Sequence, residues 1–136
     1  MATIERFEQL ISWQEARNLN KIIGKLIDSG RFKTSYRLIG QVEGSAGSVM
    51  DNIAEGFERG GNKEFVQFMN IAKGSCSELR SQLYRAMDRG YITQNEFDNL
   101  SVHAMKISSL IQKLITYLGN STSKGPKYKP KNPQNP

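Results

Sequence analysis

The stretch FDNLSVHAMKISSLIQKLITYLG, residues 97–119, carries the clearest structural signal in this chain of 136 residues. Apolar residues recur in it at alternating steps of three and four: Phe97, Leu100, Ala104, Ile107, Ile111, Leu114 and Leu118. Because a helical turn takes about 3.6 residues, this spacing aligns them along one side of an α-helix. The stretch therefore predicts an amphipathic helix whose apolar side is buried against other helices.

Three upstream segments repeat this spacing, with apolar stripes that begin at Trp13, Ile39 and Phe65. The stripes continue through Ala16, Leu19, Ile23 and Leu26; through Val42, Ala46, Val49, Ile53 and Phe57; and through Phe68, Ala72, Cys76, Leu79, Leu83 and Ala86. All four prolines lie at or after Pro126, so no proline interrupts these helices. The sequence therefore predicts four long helices.

Capping signals and glycines indicate where these helices end. Helix starts are marked by two S/T-x-x-E capping boxes, Ser12 with Glu15 and Thr93 with Glu96, and by Asn62. Helix ends are marked by Gly30, Gly60, Gly61, Gly90 and Gly119. We predict helices near 13–29, 34–59, 63–89 and 94–119. Because the connections are short, the fold class is all-α, an antiparallel up-down-up-down four-helix bundle over residues 1–119.

Most of the surplus positive charge lies outside this predicted bundle. The chain has 19 Lys and Arg and 13 Asp and Glu, a net charge of +6. All the acids precede Gly119, whereas the segment 120–136 holds four lysines and every proline. Its lysines are Lys124, Lys127, Lys129 and Lys131. This composition predicts a disordered basic tail and a bundle that is close to neutral.

The residues that enzymes and metal sites need are scarce. His103 is the only histidine, and Leu100 stands where the Glu of a Glu-x-x-His metal pair would be. Cys76, the only cysteine, lies on an apolar stripe, where a buried thiol is the usual interpretation. We expect no catalytic residue, metal or cofactor. With no signal peptide, membrane-spanning run or disulfide pair, the sequence predicts a cytoplasmic protein with no membrane partner.

Basic residues recur every four positions in the first predicted helix. The candidates for phosphate contact are Arg17, Lys21 and Lys25, then Arg31, Lys33 and Arg37 around the first turn, and the four tail lysines. A row of cations can bind nucleic-acid phosphates in a strongly salt-dependent way. It can equally be an ordinary solvated helix face. Both interpretations stay open from the spacing alone.

The second predicted helix carries two features that suit an interface. A polar stripe, Ser48, Asn52, Glu55 and Arg59, lies beside the apolar one. It is either an assembly surface or a solvated face with a local ion pair. Interior glycines at Gly40, Gly44, Gly47 and Gly56, with Gly74 in the third predicted helix, each cost about 0.5–1 kcal/mol relative to alanine. Close approach of another backbone, within the bundle or from a second subunit, explains them; otherwise packing tolerates them.

The segment SAGSVMDNIAEGFERGGNKEFVQFMNIAKGSCSELRSQL, residues 45–83, resembles a family of bacterial four-helix-bundle proteins encoded in intervening sequences of 23S ribosomal RNA genes. The matching pieces are N-I-A-E-G at 52–56; Phe65, Phe68, Ile71 and Ala72; Gly74, Ser75, Glu78 and Leu79; Phe7, Leu10, Trp13, Gln14 and Ala16; and Gly90, Tyr91 and Ile92. The resemblance covers about residues 5–118 and leaves out the tail.

This resemblance implies a ring, typically a homopentamer, with a basic surface for RNA or DNA. Related accessory proteins of diversity-generating retroelements work beside a reverse transcriptase, which is therefore a possible protein partner. The resemblance also makes Asn52, Glu55, Gly56, Gly74, Ser75 and Glu78 candidate packing or subunit-interface residues. One departure weakens the basic surface: where the family commonly has two basic residues after the equivalent of Gln41 and one apolar residue, this chain has Glu43 and Gly44.

Together these observations predict a non-enzymatic, oligomeric four-helix bundle that binds nucleic acid, with RNA favoured over DNA. The alternative is a protein–protein adaptor, a ring that presents helix faces to a partner and binds no nucleic acid. The two differ in their response to salt, because affinity for phosphates falls steeply as ionic strength rises.

Overall fold

The computed structural model describes residues 3–120 of the chain. The four lysines of the predicted tail, like the rest of residues 121–136, lie outside the described residues. A short 3-10 helix, Phe7–Gln9, precedes four α-helices. These are α1 (Ile11–Asp28), α2 (Tyr36–Arg59), α3 (Asn62–Asp88) and α4 (Gln94–Asn120).

The four helices pack as a square in which each contacts its neighbours along the chain and α4 closes back onto α1. Side-chain pairs between neighbours run in opposite directions: Ser45 of α2 contacts Glu78 of α3, whereas Arg59 of α2 lies near Glu64. Neighbouring helices are therefore antiparallel. The predicted all-α four-helix bundle is confirmed, with α1 and α3 on one diagonal and α2 and α4 on the other.

Most residues of the predicted apolar stripes form the core, whereas Trp13, Leu26, Ile39 and Phe68 are only partly buried against it. All seven stripe residues of α4 are at most 5% exposed, as are Val42, Ala46, Val49, Ile53 and Phe57 of α2. Burying one large aliphatic or aromatic side chain contributes about 1.5–3 kcal/mol, so these stripes supply the main stabilisation of the bundle. Cys76 is part of this core, and burial raises the pKa of its thiol to about 12. The thiol therefore stays protonated and unreactive at neutral pH.

Local signals set several helix ends as predicted. In the capping box at α4, the Glu96 amide donates to Thr93 Oγ1 at 3.1 Å and the Thr93 amide donates to Glu96 Oε1 at 2.8 Å. Gly30, Gly60 and Gly90 have φ angles of +81°, +92° and +76°, where a side chain is strained. These glycines follow α1, α2 and α3 as the sequence predicts.

Three predicted boundaries were wrong. Ser12 does not cap α1, because α1 begins at Ile11 and Ser12 is fully buried within it. Asn62 is the first residue of α3 and makes no side-chain cap, and α4 runs past Gly119 to Asn120. Next to this start, Gln14 Nε2 donates to the carbonyl of Glu8 at 2.8 Å, which holds the first turn of α1 against the 3-10 helix. The N-cap position belongs to Leu10, which makes no side-chain cap.

Candidate interaction surfaces

The basic ridge of α1 consists of Arg17, Lys21 and Lys25, and all three side chains are exposed. They lie on the outer side of α1, because the helix buries Ala16, Leu19 and Ile23 on its other side. The guanidinium of Arg17 is 5.9 Å from the Trp13 ring centroid, a cation–π distance that helps to hold it. Within residues 3–120 none of the three forms an ion pair with a carboxylate. The ridge therefore presents three uncompensated charges at steps of about 6 Å along the axis.

The basic residues that follow α1 differ from those of the ridge in whether a carboxylate pairs with them. Arg31 donates through both terminal nitrogens to Glu96, at 2.6 and 2.5 Å, so its charge is neutralised by a bidentate pair. Lys33 is exposed and has a positive φ of 54°, and Arg37 is exposed in the first turn of α2. The Arg31–Glu96 pair joins residues 65 positions apart and could not be read from local spacing. Arg31 thus ties the turn to α4.

This pair gives a pH-dependent prediction: Glu96→Gln is expected to lower the melting temperature at neutral pH, by an amount that shrinks in acid. The Arg31 hydrogen bond, helped by Thr93, lowers the pKa of the Glu96 carboxyl from 4.5 to about 2. Because the folded state binds this proton more weakly than the unfolded chain, the stabilisation is complete above about pH 4.5 and disappears as the pH falls towards 2.

Thermal unfolding of the wild type and the variant, followed by circular dichroism from neutral pH downwards, measures this difference. Glu43→Gln is the matched control, since Glu43 is exposed and pairs with no cation among the described residues. Its melting temperature should track that of the wild type throughout. A Glu96→Gln deficit that stays constant down to about pH 2 would contradict the pairing argument.

A polar seam formed by Ser45, Ser48, Asn52, Ser75 and Glu78 joins α2 to α3. Asn52 Nδ2 donates to the carbonyl and the Oγ of Ser48, at 2.8 and 2.9 Å. Ser75 Oγ donates to Ser48 Oγ at 2.8 Å, and Ser45 Oγ donates to Glu78 Oε1 at 3.2 Å. The candidate interface residues Ser48, Asn52, Ser75 and Glu78 therefore already make contacts within one chain. The Ser48–Ser75 and Ser45–Glu78 bonds cross from α2 to α3 and fix their register, whereas Asn52 bonds within α2.

The remaining members of the predicted polar stripe lie at the surface near the turn between α2 and α3. Glu55 and Arg59 form an exposed i, i+4 pair at 2.8 Å, and Arg59 is 3.9 Å from Glu64. The guanidinium of Arg59 also lies 5.1 Å from the Phe68 ring centroid. Exposed pairs of this kind contribute only some tenths of a kcal/mol, so this end of the stripe is largely a solvated face.

The interior glycines divide into two classes. A Cβ on Gly56 would lie 2.7 Å from Phe68 Cβ and 3.1 Å from Phe65 Cδ1, so this glycine lets α2 and α3 approach closely. In the part of the chain that the structure describes, no atom of a neighbouring element would come within 4 Å of a Cβ on Gly44, Gly47 or Gly74. Packing among these residues therefore explains Gly56 and gives no reason for the other three.

A groove of about 390 Å³ opens between α1 and α4, a feature the sequence analysis missed. Ile22, which is 44% exposed, lies in it together with Leu26 and Leu100, and charged side chains line its edge. One of these is His103, whose Nε2 is 2.9 Å from Glu15 Oε1. The groove is an apolar recess with a polar edge, and its volume is in the range of small-ligand or side-chain sites.

Neither metal chemistry nor membrane insertion finds support in residues 3–120. No group of three or more His, Cys, Asp or Glu side chains in this part of the chain is arranged to hold a metal ion. None of the helices described is both long and apolar enough to span a bilayer. The geometry instead offers surfaces: the basic ridge of α1, the α2–α3 face and the groove between α1 and α4.

Comparison with known proteins supports the resemblance read from the sequence. The model of the 23S rRNA-intervening sequence protein family matches residues 8–113. This range contains α1, α2 and α3 entirely, with most of α4. No match was found among curated proteins. Since the family match covers well over half of the sequence, the chain belongs to the 23S rRNA-intervening sequence protein family.

Proposed function

We propose that this protein is a non-enzymatic, homo-oligomeric bundle that binds nucleic acid, RNA in preference to DNA, through the outer side of α1. The observation that carries the proposal is the basic ridge: Arg17, Lys21 and Lys25 are exposed in one row and no carboxylate compensates them among the described residues. Phosphate contacts supply most of the affinity in sequence-independent binding, so such a row is the element that a nucleic-acid backbone requires.

The charge on α2 supports the choice of α1. The outer side of α2 carries four exposed acids: Glu43, Asp51, Glu55 and Glu58. Its cations, Arg37 and Arg59, lie near its two ends. Because like charges repel, a phosphate backbone is disfavoured along the middle of α2. Glu43 is one of the residues that replace the paired basic residues common in the family, which moves the proposed contacts towards α1.

Assembly is the second part of the proposal. Gly44, Gly47 and Gly74 weaken their helices without any packing gain inside one chain. A second copy packed closely against the outer side of α2 and α3 would explain these glycines. The same contact would cover Ile71 on α3, which is 51% exposed. The family resemblance suggests a pentameric ring, with a reverse transcriptase as a possible protein partner. The cytoplasmic location is proposed from the sequence, which has no signal peptide, membrane-spanning run or disulfide pair.

One observation favours the alternative function, a protein–protein adaptor. The groove between α1 and α4 exposes Ile22 beside Leu26 and Leu100, and an apolar recess with a charged edge is a common docking site for a partner's side chains. An adaptor ring would use this groove and would not bind nucleic acid. Lys25 belongs to the ridge and also lines the groove, so Arg17 and Lys21 distinguish the first function and Ile22 the second.

The test is a titration of a labelled RNA duplex and a labelled single strand with the full chain at several salt concentrations. Three variants are compared with the wild type: the ridge triple Arg17→Gln, Lys21→Gln, Lys25→Gln; a tail variant with Lys124, Lys127, Lys129 and Lys131 changed to Gln; and a control triple Lys63→Gln, Lys106→Gln, Lys113→Gln. Each phosphate contact contributes about 0.7–0.9 to the slope of log affinity against log salt. The ridge triple should therefore reduce that slope by about 2.

The control triple removes the same number of charges from exposed positions on α3 and α4, so its slope should change little. Equal losses in both triples would show that net charge, and not the α1 surface, governs binding. Binding that disappears only in the tail variant would move the contacts to the tail. A wild type that leaves both RNAs unbound would favour the adaptor and direct the search to protein partners.

A further inference from the structure

Three arginines converge at the end of the bundle where α2 begins and α3 ends. Arg37 belongs to the first turn of α2, whereas Arg85 and Arg89 lie in and just after the last turn of α3. They surround a small cleft of about 140 Å³, completed by Ser35, Leu38 and Gln41. Arg85 and Arg89 are far from Arg37 in the sequence, which is why the basic spacing did not predict this cluster.

Neutral groups hold the arginines in place and leave their charges uncompensated. Arg85 Nη2 donates to Gln41 Oε1, and Arg89 Nη1 donates to Ser35 Oγ at 3.3 Å. The guanidinium of Arg89 also lies 5.0 Å from the Tyr91 ring centroid, within cation–π range. No carboxylate among the described residues pairs with Arg37, Arg85 or Arg89. Three positive charges therefore remain around one cleft.

The size and charge of the cleft define the class of ligand. Sites for whole organic ligands occupy roughly 300–1,000 Å³, so a cleft of about 140 Å³ suits a single ionic group. Each guanidinium has five N–H donors in a planar fork that matches phosphate oxygens, and Arg85 and Arg89 each use only one of them on the residues above. A phosphomonoester carries a charge of about −1.5 to −2 near neutral pH, more than an internal phosphodiester, and three cations match it better.

We infer that this cleft is a binding site for a phosphomonoester group. The same chemistry occurs in a free nucleotide and at the phosphorylated end of a nucleic-acid strand. The site is formed by α2, α3 and the residues next to them, and it shares no residue with the basic ridge of α1. Its binding of a small phosphate therefore does not depend on the function proposed for that ridge. It would add recognition of a terminal phosphate to a surface that contacts internal phosphates.

The experiment measures binding of inorganic phosphate and AMP to the full chain by titration calorimetry at constant ionic strength, with chloride as the reference anion. The double variant Arg85→Gln, Arg89→Gln should weaken both ligands at least about tenfold, the loss expected for removing charge-assisted hydrogen bonds. Arg37→Gln should also weaken the binding of phosphate and AMP. Because it removes no hydrogen bond described within the bundle, it tests the cleft even if the double variant folds poorly. Lys63→Gln, Lys113→Gln is the matched control, since both lysines are exposed and lie outside the cleft and the α1 ridge, and it should bind as the wild type does.

A second arm compares a short RNA with a 5′-phosphate to the same RNA with a 5′-hydroxyl. If the wild type prefers the phosphorylated strand and the double variant does not, the ligand is the strand end. If AMP binds tightly without that preference, the ligand is a free nucleotide. Either result supports the site. Phosphate and AMP that bind no better than chloride, or equally well to wild type and double variant, would overturn it. The 5′-hydroxyl RNA reports separately on the α1 ridge.

Discussion

Replacing Gly56 by alanine is expected to destabilise the bundle by about 2 kcal/mol, although alanine is the better helix former. The added Cβ would lie 2.7 Å from Phe68 Cβ and 3.1 Å from Phe65 Cδ1. Phe68 Cβ is attached directly to the backbone of α3, so relief requires the two helices to move apart. Overpacking of this kind costs about 1–3 kcal/mol or more, which exceeds the gain of about 1 kcal/mol in helix propensity.

Gly40→Ala is the matched control, because it makes the same chemical change in the same helix and lies outside the proposed interface. Gly40 is exposed and no described atom outside the local helix backbone lies within 4 Å of a Cβ placed there, so alanine should be neutral or stabilise the chain by about 0.5–1 kcal/mol. Thermal unfolding at one fixed protein concentration compares the variants, since assembly makes the melting temperature depend on concentration. A Gly56→Ala protein that melts at or above the wild-type temperature would contradict the close approach of α2 and α3.

Gly44 and Gly56 illustrate what the sequence could reveal and what it could not. Three-four spacing predicted which side of each helix is buried, because the spacing of apolar residues within one helix does not depend on where the neighbouring helices lie. The stripe of α4 from Phe97 to Leu118 is buried without exception. Whether a glycine contacts a neighbouring helix depends on the rotation and separation of that helix, so Gly44 and Gly56 looked alike until α3 was in place.

The surfaces show the same division between local and tertiary information. The basic ridge of α1 was visible because its residues are four apart in one helix. Arg31 looked equivalent to them, yet it pairs with Glu96 across the bundle. The arginine cleft was not visible at all, because Arg37 and Arg89 meet only when α2 and α3 have packed. The cap at Thr93 was predicted correctly, whereas the cap at Ser12 was wrong because α1 begins one residue earlier, at Ile11, and Ser12 is buried within it.

Gly44→Leu is expected to break the proposed oligomer while leaving the bundle folded. Among residues 3–120, no atom outside the local helix backbone lies within 4 Å of a Cβ at Gly44, so a leucine meets no obstacle in the described bundle. If a second copy packs against this part of α2, the same leucine fills the space that its backbone occupies, and overpacking destabilises the contact. Light scattering should therefore give a lower mass than for the wild type, while circular dichroism shows unchanged helicity.

Thr116→Leu is the control for adding an apolar side chain to the surface, because Thr116 is exposed on α4, which lies diagonally across the bundle from α2. It should keep the wild-type mass. A monomeric wild type would contradict the assembly proposal, and a Gly44→Leu protein of wild-type mass would remove this part of α2 from the interface. Leucine also forms helix better than glycine, by up to about 1 kcal/mol. A loss of mass with the fold retained therefore has no cause within a single chain and requires a second copy at Gly44.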